Sequence, residues 1–233
     1  MSFLLDFLFP RTCLGCKKPG QYFCSDCLRK VKLVETQVCP VCEKASFSGQ
    51  THPFCQEKDS LDGLVSLFSY GGTIKKAIHQ LKFGLITDLV NEFWDLSKFV
   101  LKKRKKDLAS LNQFIKNQKP TLVPVPLYWY KKNFRGFNQS EIFAQKLAEF
   151  WNLKVKEDLL IRSKFTLPQA GLTQKQRKEN VENAFAVSPL VYSSLFNILL
   201  IDDIWTTGVT LKNCAALLKK SGAKTVWGLT IAR

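Results

Sequence analysis

The stretch NILLIDDIWTTGVTL, Asn197 to Leu211, decides the fold. Ile198, Leu199, Leu200 and Ile201 have the length and β-branched content of a strand buried on both faces, as parallel strands are. Asp202 and Asp203 end that strand. Thr206, Thr207, Gly208, Val209 and Thr210 then form a short loop, and LKNCAALLKKSG carries an apolar stripe at Leu211, Ala215 and Leu218 with Gly222 as its stop. The order is strand, loop, helix. A helix N-terminus presents free backbone N–H groups, and hydroxyls beside a glycine that permits close approach suit a phosphate. No Lys follows Gly208, so the loop is not one that cradles a nucleoside triphosphate. Asp202 and Asp203 suit the vicinal hydroxyls of a phosphorylated sugar, commonly with Mg2+.

Four apolar residues, Asp-Asp, two variable positions and Thr-Thr-Gly-x-Thr resemble the phosphoribosyl pyrophosphate (PRPP) motif of type I phosphoribosyltransferases. The resemblance implies an α/β fold, mainly parallel sheet with flanking helices. It also implies that Asp202 and Asp203 grip the ribose hydroxyls while Thr206, Thr207, Gly208, Val209 and Thr210 anchor the 5-phosphate. The plainer alternative is a strand whose terminal acids only cap or solubilise a loop. Trp205 departs from the motif by its bulk: it narrows the loop, stacks on a substrate, or is packed apolar surface.

A chain of 233 residues with 45% apolar content can bury one good core with room for a small module. The apolar stretches fall short of a membrane span, and SFLLDFLFP at residues 2–10 lacks a basic leader and is interrupted by Asp6, so a cytoplasmic protein without membrane insertion is expected. Thirty-five Lys and Arg against nineteen Asp and Glu leave +16, which suits an anionic partner. No internal repeat or low-complexity segment stands out.

Seven of the eight cysteines lie between Cys13 and Cys55, and Cys214 reads as a small core residue. Without secretion, thiols two residues apart favour structural zinc over disulfides. Cys13, Cys16, Cys24 and Cys27 form one complete set, CLGC then CSDC. Cys39, Cys42 and Cys55 lack a fourth thiolate, with Lys58 where a last CxxC would end. His52, three residues before Cys55, completes a Cys3His set. Two other readings stay open: a degenerate second site with His52 in solvent, and ligands interleaved across both sets around one ion. Four protein ligands leave no open position, so either site is structural rather than catalytic.

The cysteine-rich start FPRTCLGC, then LKFG, VPVPL, RGFNQSE, PQAGLTQKQRKENV and the terminal acid-pair unit, resemble the ComF family of competence proteins along almost the whole chain. The resemblance implies a double zinc ribbon over residues 1–60, a phosphoribosyltransferase domain over residues 61–233, and a role in DNA uptake during natural transformation. The incomplete fourth CxxC departs from the family pattern.

The remainder fits that architecture. LVSLFSY, Leu64 to Tyr70, alternates like a strand, and Thr73 can cap a helix with Ile74, Ile78 and Leu81 on one face. A second amphipathic helix runs from Asp88 to Leu101 and ends in Lys102, Lys103, Arg104, Lys105 and Lys106, a charge run that is either a nucleic-acid contact or a solvated end. TLVPVPLYWY begins as a strand and is broken by Pro124 and Pro126; by resemblance Val125 and Pro126 are the pyrophosphate loop. Lys131, Lys132 and Arg135 precede a helix that Asn138 can cap with Glu141 at the capping-box position, and Arg135 is the candidate pyrophosphate contact unless it is merely solvated. Gln169, Ala170, Gly171, Arg177 and Asn180 belong either to a hood over PRPP or to a plain surface helix.

Three functions remain open on this reading. One is transfer or sensing of the phosphoribosyl group with Mg2+. Another is a single-stranded DNA binding factor, with aromatics and lysines interleaved in YWYKKNFRGF, Tyr128 to Phe137. The third is a scaffold whose ribbons dock other DNA-uptake proteins.

Overall fold

A parallel sheet forms the centre of the computed structural model, which describes residues 11–83, 87–163, 184–188 and 197–233. The strands among these residues are β1 (Gly63–Phe68), β2 (Thr121–Pro124), β3 (Leu160–Arg162), β4 (Phe185–Val187), β5 (Asn197–Ile204) and β6 (Thr225–Ala232). Four of them lie in the order β1-β6-β5-β2, every pair parallel, while β3 and β4 form a separate antiparallel pair. The helices are α1 (Ser25–Leu28), α2 (Gly72–Phe83), α3 (Thr87–Lys103), α4 (Ala109–Gln118), α5 (Trp129–Arg135), α6 (Gln139–Trp151) and α7 (Val209–Lys220).

The strand period of two divides the core. Leu122, Leu199, Ile201, Trp227, Leu229 and Ile231 point to one face, where Ile78 and Leu81 of α2, Phe93 of α3, Phe114 of α4 and Phe143 of α6 cover them. Leu64, Val123, Ile198, Leu200 and Val226 point to the other, beneath Leu211, Ala215 and Leu218 of α7 and Leu160 and Phe185 of the β3–β4 pair. This is the mainly parallel α/β layering expected from the sequence. Cys214 is fully buried in the second layer, as a small core residue should be.

β5 does not stop at its acids. It continues to Ile204 because β6 runs beside it, pairing Asp202 with Thr230 and Ile204 with Ala232. The two carboxylates therefore leave a strand on alternate faces.

The cysteine-rich segment covers the free edge of β1. Val34 N–H donates to the Leu67 carbonyl (3.2 Å) and Ser69 N–H to the Lys32 carbonyl (2.9 Å), while the buried Gln37 amide pairs both ways with the backbone of Ser66 (3.0 and 2.9 Å). An exposed strand edge would otherwise invite pairing with another chain. Leu14 and Phe23 enter the first apolar layer, where Phe23 meets Phe93 at 5.7 Å between centroids, and Glu92 accepts the backbone N–H groups of Tyr22 and Phe23. The first ribbon and the sheet thus share one core.

Candidate functional site

The C-terminal ends of β2 and β5 are adjacent, and the candidate residues gather there. Gly208 caps α7 with φ of 69°, a left-handed conformation that glycine adopts without strain. A Cβ at this position would lie 2.2 Å from the Trp205 ring, so the loop also lacks room for any other residue. Trp205 itself is buried in the second apolar layer and closes the floor of the loop. Above it lies a small open cleft lined by Asp202, Thr206, Gly208, Val209 and Thr210 among others. The first turn of α7 leaves N–H groups without intrahelical acceptors, and the Thr207 hydroxyl oxygen is buried with no hydrogen-bond partner. An anion in the cleft would satisfy those N–H groups.

Val125 lies one strand away, its N–H donating to the Ile201 carbonyl (2.9 Å) and its carbonyl accepting from Asn138 Nδ2 (3.0 Å). Asn138 caps α6 as expected, accepting from Ser140 N–H at 3.0 Å. Glu141 differs from expectation. Its carboxylate pairs with Lys132 at 2.8 Å, a charged partner stronger than the backbone N–H of a capping box.

Cations surround the acids. Lys82 Nζ, on the last turn of α2, meets Asp203 Oδ2 at 2.8 Å, and the half-buried Arg135 at the end of α5 also acts on Asp203 through charge. Arg162 of β3, 5.2 Å from the Phe185 ring centre, faces Asp202. Ser140 Oγ donates to Asp202 Oδ1 at 3.4 Å and Asp203 N–H to the same oxygen at 2.9 Å. Burial, followed by the neighbouring Asp203 charge, raises the Asp202 carboxyl to about 7, while the Asp203 N–H, Lys82 and Arg162 pull it down. Lys82 and Ser140 stand inside LKFG and RGFNQSE without reading as site residues there, and Arg162 lies outside every motif quoted above. Each comes from an element distant along the chain, and only the parallel topology brings them to the strand end. The candidate hood residues Gln169, Ala170, Gly171, Arg177 and Asn180, like residues 2–10, lie outside the described residues.

The cysteines form two four-donor groups, Cys13, Cys16, Cys24 and Cys27, and Cys39, Cys42, His52 and Cys55, the ligand atoms within each lying inside 4.8 Å of one another. Cys16 and Cys24 sulfurs are 3.5 Å apart, and Cys42 sulfur is 3.4 Å from His52 Nδ1. Tetrahedral zinc with bonds of about 2.3 Å needs ligand separations of about 3.8 Å, whereas a disulfide needs about 2 Å. Both donor sets fit zinc. His52 uses Nδ1 toward its cysteines while Nε2 lies 3.1 Å from the Ala45 carbonyl, the outer contact that orients a ligating imidazole.

The two groups share a hidden repeat that the sequence did not suggest. Lys17 N–H donates to the Cys13 carbonyl and Cys13 N–H to Lys18; Glu43 N–H donates to Cys39 and Cys39 N–H to Lys44, with Lys17 and Glu43 both at positive φ. Desolvation raises the Cys13 thiol, but backbone N–H donors of Cys24, Cys16 and Gly15 outweigh it and hold the group at about 6. The corresponding donors of Cys42, His52 and Val41 likewise outweigh desolvation to lower Cys39. Such donors favour the metal-binding thiolate.

Of the charge run, Lys102, Lys103, Lys105 and Lys106 are exposed. Arg104 turns inward, donating to the Val34 and Glu35 carbonyls (2.5 and 3.3 Å) and to Asp107 (2.6 Å), so it clips the cysteine-rich segment to the end of α3. The stretch around Lys131 and Lys132 is helical, forming α5.

Comparison with known proteins agrees with this arrangement. The double zinc ribbon domain family matches residues 4–57. Competence protein F of Haemophilus influenzae is 29% identical over 230 residues, covering 94% of this chain and 90% of that protein. DNA utilization protein YhgH of Escherichia coli K12 is 30% identical over 225 residues, 93% of this chain and 94% of that protein. Competence protein ComFC of Bacillus subtilis is 27% identical over 231 residues, 93% of this chain and 86% of that protein. Among the described residues no helix is long and apolar enough to cross a membrane.

Elemental analysis of the purified chain is expected to find one zinc per donor group. His52→Ala should remove one ion and leave that of Cys13, Cys16, Cys24 and Cys27 in place. An unchanged zinc content would contradict the Cys3His site.

Proposed function

Because the chain belongs to the ComF family of competence proteins, we propose that it binds PRPP with Mg2+ and transfers or senses the phosphoribosyl group during DNA uptake. The observation that carries this reading is the half-buried acid pair on β5, opening onto the loop of Thr206 to Thr210 and flanked by Lys82, Arg135 and Arg162. In it, Asp202 and Asp203 accept hydrogen bonds from the ribose hydroxyls. Thr206, Thr207, Gly208, Val209 and Thr210 hold the 5-phosphate with the first turn of α7. Val125 and Pro126 face the diphosphate, and Arg135 offsets its charge as the bond to the anomeric carbon weakens. Bound Mg2+ supplies further neutralisation of the diphosphate. The names of the relatives, competence protein and DNA utilization protein, support a setting in DNA uptake and processing.

A second reading concerns single-stranded DNA and rests on α5. Trp129, Tyr130 and Phe134 are 60%, 56% and 74% exposed, far above what packing aromatics show, and they share a short helix with Lys131, Lys132 and Arg135. Exposed rings stack on bases without regard to sequence while cations follow the backbone. With a net charge of +16 and the four outward lysines at 102, 103, 105 and 106, the surface suits a polyanion. The same surface could instead serve a scaffold role if uptake proteins rather than DNA occupy it.

Calorimetric titration tests the first reading. PRPP is expected to bind with Mg2+, and Asp202→Asn or Asp203→Asn to weaken binding on the order of tenfold to a hundredfold through lost charge-assisted hydrogen bonds. Because the Asp202 carboxyl is raised to about 7 and accepts from hydroxyls more strongly once ionised, wild-type affinity should grow as pH rises through 7 and then level off. Asp202→Asn should lose that component of the pH dependence. Wild-type affinity in both variants would remove the acid pair from the site.

For DNA, affinity for single strands should fall steeply with salt. Replacing Lys102, Lys103, Lys105 and Lys106 by Gln should flatten that slope, whereas Trp129→Ala and Phe134→Ala should weaken binding by about 1–3 kcal/mol for each lost stack and leave the slope unchanged. Absence of salt-dependent binding in the wild type would eliminate the direct DNA role.

A further inference from the structure

Asp203 carries a cation that neither the acid-pair motif nor the phosphate loop accounts for. Lys82 Nζ occupies Oδ2 of Asp203 at 2.8 Å, both side chains being largely buried. A carboxylate so engaged has fewer lone pairs to offer ribose hydroxyls. Among the described residues Arg135 also acts on Asp203, and Arg162 on Asp202, through charge, so cations from three elements reach the strand end. Cations gathered there suit an incoming polyanion.

The place of Lys82 indicates which part of that anion it would meet. The Gln139 side chain donates to the carbonyl of Leu81 at 2.7 Å, and its neighbour Asn138 donates to the carbonyl of Val125 at 3.0 Å. The last turn of α2 is therefore tied through the start of α6 to the loop of Val125 and Pro126. Lysine combines a compact charge with a flexible four-carbon stem, so it can exchange one oxygen partner for another without moving its helix.

Resting on the PRPP reading, we propose that Lys82 is a diphosphate-binding residue that alternates between Asp203, its partner here, and the diphosphate of PRPP. Exchange releases Asp203 to the ribose hydroxyls at the moment the leaving group arrives. The same ammonium group then neutralises charge on the bound diphosphate.

Three probes separate this role from simple support of the acid loop: PRPP with Mg2+, inorganic diphosphate with Mg2+, and ribose 5-phosphate, which has no diphosphate. Lys82→Gln is expected to weaken PRPP and diphosphate by about tenfold, the scale of one charge-assisted contact, and to leave ribose 5-phosphate unchanged or tighter. Lys82→Arg, which keeps the charge, should recover most of the loss, and thermal unfolding of both variants checks that they fold. Equal weakening of all three ligands would overturn the proposal in favour of a structural ion pair, as would wild-type diphosphate affinity in Lys82→Gln. If the wild type binds none of the three, the PRPP reading itself fails and Lys82 falls with it. If the wild type binds them and Lys82→Gln changes nothing, Lys82 alone is excluded.

Discussion

Two carboxylates in succession at the end of a buried strand repel one another and lose hydration, and this constraint organises the surrounding structure. Asp202 and Asp203 are kept together by opposite charge delivered from α2, α5 and β3. None of these elements neighbours β5 in sequence. The strand order β1-β6-β5-β2 brings them to one end of the sheet, and alternation along β5 turns Asp203 toward Lys82 and Asp202 toward Arg162. Burial, followed by the adjacent Asp203 charge, still raises the Asp202 carboxyl to about 7. A half-buried, imbalanced acid pair is a poor stabiliser of a fold, since ion pairs in such places seldom repay their desolvation. Its chemistry is better suited to a ligand.

The cysteine-rich segment has a different task. Its ligand groups set local geometry, while the chain between them seals the edge of β1 through backbone bonds and the Gln37 side chain. Arg104 and Glu92 fasten it from α3. On the other side, Glu43 beside the second donor group pairs with Lys212 at 3.2 Å, and Lys212 lies 5.4 Å from the ring centre of Trp205, the floor of the Thr206 to Thr210 loop. Metal-ligand free energy acts as folding free energy in modules of this size. The metal sites thereby contribute to the frame on which the acid-pair site stands.

Local patterns carried much of this into the sequence. β5, its loop and α7 were legible because a buried parallel strand is continuously apolar and the helix stripe follows at once. The cap at Asn138 and both donor groups were legible for the same reason, since each depends on residues a few positions apart. α5 reads as a lead-in to the helix after it, because seven residues mixing rings with lysines show no period. The repeat of the two knuckles was masked by the change from Cys24 to His52 and by unrelated intervening residues. Arg104 looked like one charge among five, and its inward turn depends on carbonyls some seventy positions away. The pairings of Lys82, within LKFG, and of Arg162 with the acids escape a sequence reading for that reason too: ion pairs across a topology leave no spacing to find.

On the PRPP reading, one strand end holds the whole ligand, its 5-phosphate on the Thr206 to Thr210 loop and its diphosphate toward Val125 and the cations. Phosphorus-31 NMR of PRPP with Mg2+, followed as the protein is added, tests this most directly because the monophosphate and diphosphate resonances report separately. Both sets of resonances should shift or broaden together, and both effects should be lost in Asp203→Asn. Perturbation of the diphosphate signals alone, at a level unaffected by that substitution, would show only a basic surface attracting a polyanion and would contradict the site.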